Sequence, residues 1–151
     1  MRKGLDLKLN GTLRLSDETG KRTAGAFSRL INDNAAVFEH YFRAKLFAGS
    51  LNIDVPYPPT LQQDLDAGRP APCIFIRKRE LINMPDYIGD GQAWACDLKG
   101  SKFPYPIRCW IFRRKGSRVP VGVIEIVSRE PLREPYKLKH GDAVTVEVFS
   151  Q

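Results

Sequence analysis

Apolar and polar residues alternate most clearly over residues 121–149, which predict two strands joined by a short polar connection. In the second strand, Val144, Val146 and Val148 alternate with polar residues, the period of a strand with one buried face. Gly141 precedes this strand, and glycine allows the positive φ angle that a tight turn requires. This part of the chain is therefore predicted to contribute two strands to a β-sheet.

The first of these two strands contains a carboxylate within an apolar run, at Glu125. A buried carboxylate without a partner is energetically costly, so we expect Glu125 to reach solvent, a partner or a ligand. Alternation places Glu125 on the same face as Val123 and Val127. Ile124 and Ile126 belong to the opposite face. We interpret the face that carries Glu125 as the lining of a pocket.

Shorter patterns predict further strands. Residues 5–15 alternate between apolar and polar positions, with a bend expected near Gly11. Thr60 is expected to cap a brief helix that stops before residue 68. The other short strands are predicted over residues 50–55, 73–76, 92–98 and 107–112.

The strongest helical pattern covers residues 34–47, where apolar side chains recur at helical spacing on one face. Asp33 or Asn34 is predicted to cap this helix at its start. Gly49 is predicted to end it, because glycine adopts the left-handed conformation without strain. The polar residues 16–26 before the helix predict a loop.

The composition agrees with a single β-rich domain. The chain has 151 residues, of which 42% are hydrophobic, enough to bury a core. Eleven prolines and twelve glycines fit many short elements better than long helices. We predict a mainly β protein with one or two helices, a small closed barrel that occupies residues 1–151 as one domain.

No apolar run approaches the ~20 residues of a membrane-spanning helix, and the N-terminal residues lack the apolar core of a signal peptide. We therefore expect a cytoplasmic protein without a membrane partner, and a monomer. Three widely spaced cysteines, Cys73, Cys96 and Cys109, predict reduced thiols that are buried or half-buried. With only His40 and His140 available, a zinc site of histidine and cysteine is not expected.

The formal net charge of +7 is concentrated in residues 98–124, called here the basic segment. This segment contains seven basic residues and no acidic one. The electrostatic field of such a positively charged segment would attract an anionic partner, either a polyphosphate or a nucleic acid. The alternative is a solvated hairpin with a basic tip. The seven residues are Lys99, Lys102, Arg108, Arg113, Arg114, Lys115 and Arg118.

Several short motifs together resemble those of CTP-dependent riboflavin kinases. They are GSLNI at residues 49–53, IEIV at 124–127, PLRE at 131–134 and LKHGD at 138–142. The resemblance extends over about residues 27–149. It implies a cradle-loop barrel that phosphorylates riboflavin to FMN, with CTP and riboflavin as small-molecule substrates.

The resemblance implies a magnesium site at Ser50 and Asn52. Residues at i and i+2 of a strand point the same way, so both side chains can offer oxygen to one ion. Mg²⁺ prefers such hard oxygen ligands and commonly takes one or two of them from the protein. Glu125 would hold riboflavin, and it could orient the ribityl hydroxyl or act as a base. Ser117 would lie near the flavin.

The same resemblance assigns the nucleotide to two other segments. Leu132, Arg133 and Glu134 would contact the cytidine. The family's glycine-rich loop, which wraps the phosphates with backbone N–H groups, corresponds to the stretch after the first strand. The residues of that stretch implied to bind the nucleotide are Gly20, Lys21, Arg22, Thr23 and Gly25.

Three functions remain open at this point. The leading hypothesis is a Mg²⁺-dependent phosphotransferase that moves the terminal phosphate of CTP to riboflavin. The second is a relative that binds a nucleotide or another phosphorylated ligand without transferring phosphate, since the loop keeps only two of the expected glycines. The third, not favoured, is a barrel that binds nucleic acid through its basic segment. The chain begins directly at the predicted barrel, so no N-terminal DNA-binding domain, which some family members carry, is expected.

Overall fold

The computed structural model describes residues 5–15, 26–56, 60–116 and 122–149. These residues form seven strands, three α-helices and one 3-10 turn, Lys78–Glu80. The helices are α1 (Ala26–Asp33), α2 (Ala35–Phe42) and α3 (Thr60–Asp66). The strands are β1 (Leu5–Arg14), β2 (Leu51–Asp54), β3 (Ile74–Ile76), β4 (Gly91–Lys99), β5 (Ile107–Arg114), β6 (Val123–Val127) and β7 (Ala143–Phe149).

Six of the strands close into a barrel, in the order β4, β5, β6, β2, β1, β7, and β7 pairs back with β4. Every pairing is antiparallel. β3 extends the sheet beside the first half of β4, and the pairing of β1 with β7 brings Leu5 opposite Phe149. Closure pairs each of the six barrel strands on both sides, which leaves none of them as an open edge for another chain. The prediction of a small closed β-barrel is confirmed.

The barrel interior is filled by the inward-facing side chains of the alternating strands. Leu13, Ile53, Ile126 and Val146 are all buried there, each with no more than 1% of its surface exposed. Each such apolar side chain contributes roughly 1.5–3 kcal/mol when it is removed from water. Trp94 packs in the same cluster, as its place in a strand predicts, and its indole N–H donates to the carbonyl oxygen of Pro70 at 2.7 Å.

A second apolar cluster lies between the outer face of the barrel and the helices α1 and α2. Its centre is aromatic: the rings of Phe27 and Phe38 lie 5.5 Å and 5.7 Å from that of Phe112. The ring of Phe42 meets Trp110 edge-on at 5.1 Å. Such edge-to-face and tilted pairs are favoured over face-to-face stacking. This cluster fixes both helices against one side of the barrel.

The predicted helix over residues 34–47 is wrong at its end, because α2 stops at Phe42. Arg43 takes the left-handed conformation there, with φ 54°. Gly49, predicted to end the helix, lies outside it and has no left-handed φ angle. The apolar pattern predicts no separate helix before residue 34, where the structure has α1.

The start of α2 also differs from the prediction. Asn34 occupies the capping position, but its side chain makes no capping hydrogen bond. Instead its amide nitrogen donates to the carbonyl oxygens of Leu30 and Ile82, at 3.0 Å and 3.1 Å. Its Oδ1 accepts from the backbone N–H of Ile82 at 2.8 Å. The buried amide therefore ties the junction of α1 and α2 to the segment after the 3-10 turn.

The expectations for the cysteines are confirmed: Cys73, Cys96 and Cys109 are all free. The last two are buried and directly opposite each other on β4 and β5, with their sulfur atoms 3.6 Å apart. Among the described residues, no helix has the length and apolar character required to cross a membrane.

Candidate functional site

The outer faces of three neighbouring strands carry a row of polar side chains. Arg14 on β1 lies directly opposite Asn52 on β2, and Asn52 lies directly opposite Glu125 on β6. Directly opposed residues of antiparallel strands point to the same face of the sheet. The chain neighbours of all three are buried in the barrel core, so the row faces outward. We call these three residues the open row.

The open row forms one wall of a cavity of about 1280 Å³. Residues from α1, from the segment after the 3-10 turn and from the segment after β6 form the other walls. A volume of this size exceeds that of most small-molecule pockets, so the cavity has room for two ligands. The predicted site residues that line it together are Ser50, Asn52, Glu125, Leu132, Arg133 and Glu134.

The side-chain oxygen of Asn52 is the clearest indication of a ligand. Within the described residues, its Oδ1 atom is buried and has no hydrogen-bond partner. A buried polar atom without a partner costs about 1–3 kcal/mol, so such atoms are uncommon and call for an explanation. The described residues contain no group of three His, Cys, Asp or Glu side chains that could hold a metal ion. The oxygens of Ser50 and Asn52 nevertheless fit Mg²⁺, because this ion uses few protein ligands and prefers oxygen.

Glu125 is held in surroundings that favour its protonated form. Burial raises the pKa of its carboxyl group, and the nearby guanidinium of Arg114 opposes this shift. A carboxylate with a raised pKa is a stronger base than one in water. Glu125 therefore combines access to the cavity with the ability to accept a proton or a hydrogen bond.

The segment after β6 is shaped by backbone hydrogen bonds. The backbone N–H of Phe47 donates to the carbonyl oxygen of Ser128 at 2.9 Å, and that of Leu138 donates to Arg133 at 2.8 Å. The side chain of Leu132 packs in the barrel core, whereas Arg133 is half-buried and Glu134 is exposed. The anchored leucine thus holds two charged residues at the edge of the cavity.

Some predicted site residues lie outside the described parts of the chain. These are Ser117 and the phosphate-loop residues Gly20, Lys21, Arg22, Thr23 and Gly25. Their assigned roles stay predictions.

Arg14 and Arg114 are among the cavity residues that the sequence does not single out as site residues. Arg14 occupies an outward position of an alternating strand, but so does Lys8 on the same strand, and alternation does not distinguish them. Arg114 was noted only as a member of the basic segment. Arg114 and Glu125 are close enough in sequence to belong to neighbouring strands of a hairpin. This spacing is the feature of the sequence that indicates their proximity in the fold.

The basic segment does not form one positive surface in the described residues. Four of its basic side chains form ion pairs with acidic residues from other parts of the chain. Part of the positive charge of the segment is therefore neutralised by neighbouring acidic residues, which weakens the argument for a nucleic-acid partner. The pairs are Lys99 with Glu147, Lys102 with Asp142, Arg108 with Asp97 and Arg113 with Asp66.

Comparisons with known proteins agree with these features. The family model for CTP-dependent riboflavin kinase, with the description "Domain of unknown function DUF120", matches residues 30–148. A riboflavin kinase of Thermococcus kodakarensis is 30% identical to this chain over 120 residues. That alignment covers 75% of this chain and 48% of the relative. The chain therefore spans about half the length of this curated relative.

Proposed function

This chain belongs to the CTP-dependent riboflavin kinase family, and from that premise we propose that it transfers the terminal phosphate of CTP to riboflavin, giving FMN. The observation that carries the proposal is the single cavity lined by Ser50, Asn52, Glu125 and the charged pair Arg133 and Glu134. One domain over the whole chain would contain both substrate sites.

Ser50 and Asn52 would hold a magnesium ion through their side-chain oxygens. The unsatisfied Oδ1 of Asn52 supports this role, because an ion would supply the missing partner. When bound, the ion would neutralise negative charge on the phosphates. Asn52 lies in β2, between the strands that carry Arg14 and Glu125, and Ser50 immediately precedes β2.

Glu125 would act on the riboflavin hydroxyl that receives the phosphate. Its raised pKa lets a carboxylate oxygen accept the hydroxyl hydrogen bond and then the proton. The hydroxyl oxygen forms its bond to the terminal phosphorus as the bond from that phosphorus to the bridging oxygen breaks, and CDP leaves. Most of the rate acceleration would come from holding the two substrates in line within the cavity.

Arg133 and Glu134 would select the cytosine base. Cytosine presents an exocyclic amino group as donor and a ring carbonyl as acceptor. Exposed Glu134 can accept from the amino group, and the Arg133 guanidinium can donate to the carbonyl oxygen. Uracil carries an oxygen in place of the amino group, so the same carboxylate would repel it. This pairing favours CTP over UTP.

A second candidate function is nucleotide binding without transfer. It is favoured by the sequence of residues 20–26, which keeps two glycines where the family pattern has more. With fewer glycines to bring backbone N–H groups close to the phosphates, this stretch would bind the nucleotide without aligning it for transfer.

In the test, the protein is incubated with riboflavin, Mg²⁺ and one of the nucleotides CTP, ATP, GTP or UTP, and the FMN formed is measured by chromatography. We expect FMN from CTP, and a fall in rate of about 100-fold or more in Asn52→Ala and Glu125→Gln. Asn10→Ala is the matched control, because Asn10 is also an outward-facing asparagine but lies outside the cavity.

The outcomes separate the candidates. CTP binding by calorimetry without FMN would support the second candidate. Absence of both FMN and CTP binding would rule out both. FMN formed at equal rates by the two site variants and by wild type would leave the activity standing but would remove Asn52 and Glu125 from the site.

A further inference from the structure

Arg14 lines the cavity from the β1 side, and its position is fixed by the barrel. Leu13 and Leu15 on either side of it are buried in the core, which turns Arg14 outward. It lies directly opposite Asn52, so the two side chains leave the sheet about 5 Å apart. An arginine thus lies directly opposite the asparagine whose side-chain oxygen has no partner among the described residues.

Within the described residues, the ion pair that Arg14 makes leaves most of its N–H donors available. One terminal nitrogen lies 3.5 Å from Oδ1 of Asp54, near the upper limit for an ion pair. Both side chains are partly exposed, at 32% and 46%, which weakens the pair through solvent screening. A guanidinium has five N–H donors in a planar fork that matches phosphate geometry. Arg14 can therefore bind a phosphate without breaking a buried interaction.

The two ends of the open row carry side chains of different charge. Arg14 stands at one end and Glu125 at the other, two strand spacings or about 10 Å apart, with Asn52 between them. A polyanion is attracted to the guanidinium at the Arg14 end, whereas at the other end the guanidinium of Arg114 already has the carboxyl group of Glu125 nearby. An uncharged polyol fits the Glu125 end. The two ends therefore suit different substrates.

We infer that Arg14 binds the terminal phosphates of the nucleotide, so that the phosphoryl group is transferred across Asn52 from the β1 side towards Glu125. This inference rests on the proposed function for the identity of the acceptor. The binding of phosphate by Arg14 does not depend on the acceptor and can be measured without it.

The experiment measures dissociation constants by calorimetry for Arg14→Gln and Arg14→Lys, with Mg²⁺ present. The probes are inorganic tripolyphosphate, CTP, cytidine and riboflavin. We expect Arg14→Gln to weaken tripolyphosphate and CTP by about 10- to 100-fold and to leave cytidine and riboflavin unchanged. Arg14→Lys keeps the charge without the fork, so we expect it to recover part of the loss.

Lys8→Gln is the matched control. Lys8 is a cation that faces outward from the same strand but lies outside the cavity. We expect all four dissociation constants to stay within about twofold of wild type, because the charge lies more than a Debye length from the bound phosphate at moderate salt.

Each possible result either supports the inference about Arg14 or overturns it. Unchanged tripolyphosphate and CTP binding in Arg14→Gln would overturn the inference, as would an equal loss of riboflavin binding, which indicates structural damage. Absence of tripolyphosphate and CTP binding by wild type would also overturn it. Tripolyphosphate binding that depends on Arg14, in a protein that forms no FMN, would support the inference and refute the kinase activity.

Discussion

The outer surface of the barrel carries two rows of polar residues that differ in how their charges are paired. In the open row, Asn52 has a side-chain oxygen without a partner in the described parts of the chain, and the pKa of Glu125 is raised by burial. The second row lies across β5, β4 and β7, where Asp97 stands opposite both Arg108 and Glu147. Arg108 donates to Asp97 at 3.2 Å, and Lys99 forms an ion pair with Glu147. We call it the paired row.

The difference shows which polar surface belongs to the scaffold and which to the site. Charges that meet opposite charges within the fold stabilise it, or at least cost little. Polar groups that are buried without partners destabilise the fold and are typical of binding and catalytic sites. Substitutions in the two rows should therefore change stability in opposite directions.

The largest expected effect on stability is a loss in the paired row. Arg108→Ala removes the guanidinium from the Asp97 carboxylate, which has only 1% of its surface exposed. We expect the free energy of unfolding in urea to fall by about 1–3 kcal/mol, the range for a hydrogen bond to a buried charge. The rate of FMN formation per folded molecule should not change.

Arg69→Ala is the control for this loss. Arg69 and Asp64 also form an ion pair, but their side chains are 70% and 48% exposed. An exposed pair contributes about 0–1 kcal/mol. Equal losses in the two variants would mean that the burial of Asp97 has no energetic consequence.

A smaller effect of opposite sign is expected in the open row. Asn52→Val replaces the unsatisfied amide by a β-branched side chain that suits a strand, and we expect a gain of about 0.5–1 kcal/mol. Asn10→Val is the control, because Oδ1 of Asn10 accepts from the hydroxyl of Thr145 at 2.9 Å. The Asn10→Val variant should show no gain in the free energy of unfolding. A loss of stability in Asn52→Val would contradict the comparison.

The smallest effect is a dependence of stability on pH at Glu125. Its folded pKa lies above the ordinary value of 4.5, so the folded state holds the proton more tightly than the unfolded state. Wild-type stability should therefore fall as the pH rises from about 4.5 through the raised pKa. Glu125→Gln removes this dependence, so it should be more stable than wild type at pH 7 and equal to it once both states are protonated.

Urea denaturation of both proteins at several pH values measures that difference. A gap between Glu125→Gln and wild type that stays constant with pH would mean that the burial of the charge is not its cause.

Local patterns were sufficient for the strands and for part of the site. Alternation identified β7 and the inward faces of β2 and β6, since period two follows directly from strand geometry. Glu125 was recognised because a carboxylate within an apolar run conflicts with burial. Asn52 was recognised by its motif, whereas its unsatisfied oxygen depends on surroundings that only the fold creates.

Two features of the helices depend on local sequence, but the pattern of apolar residues did not predict them. In α1, Phe27, Leu30 and Ile31 are buried at helical spacing, a pattern hidden by the polar stretch in front of it. The end of α2 could not be predicted from a glycine, because Arg43 itself takes the left-handed conformation there.

The pairing of charges could not be predicted, because it depends on contacts between distant residues. Asp66 and Arg113 are 47 positions apart in the chain, and their ion pair forms because α3 lies beside β5 in the fold. The same holds for the closure of β4 on β7. A net charge summed along a segment therefore says little about the field at the surface.

The pairing of Leu5 with Phe149 has a consequence for protein engineering. A short flexible linker could join these two positions, and the chain could then be opened elsewhere, for example in the turn at residues 100–106 between β4 and β5. In such a circular permutant β1 and β7 become neighbours in sequence, so their long-range pairing becomes a local hairpin. Opening the chain there separates β4 from β5 in sequence, so the permutant exchanges one local hairpin for another and should fold at about the rate of the parent.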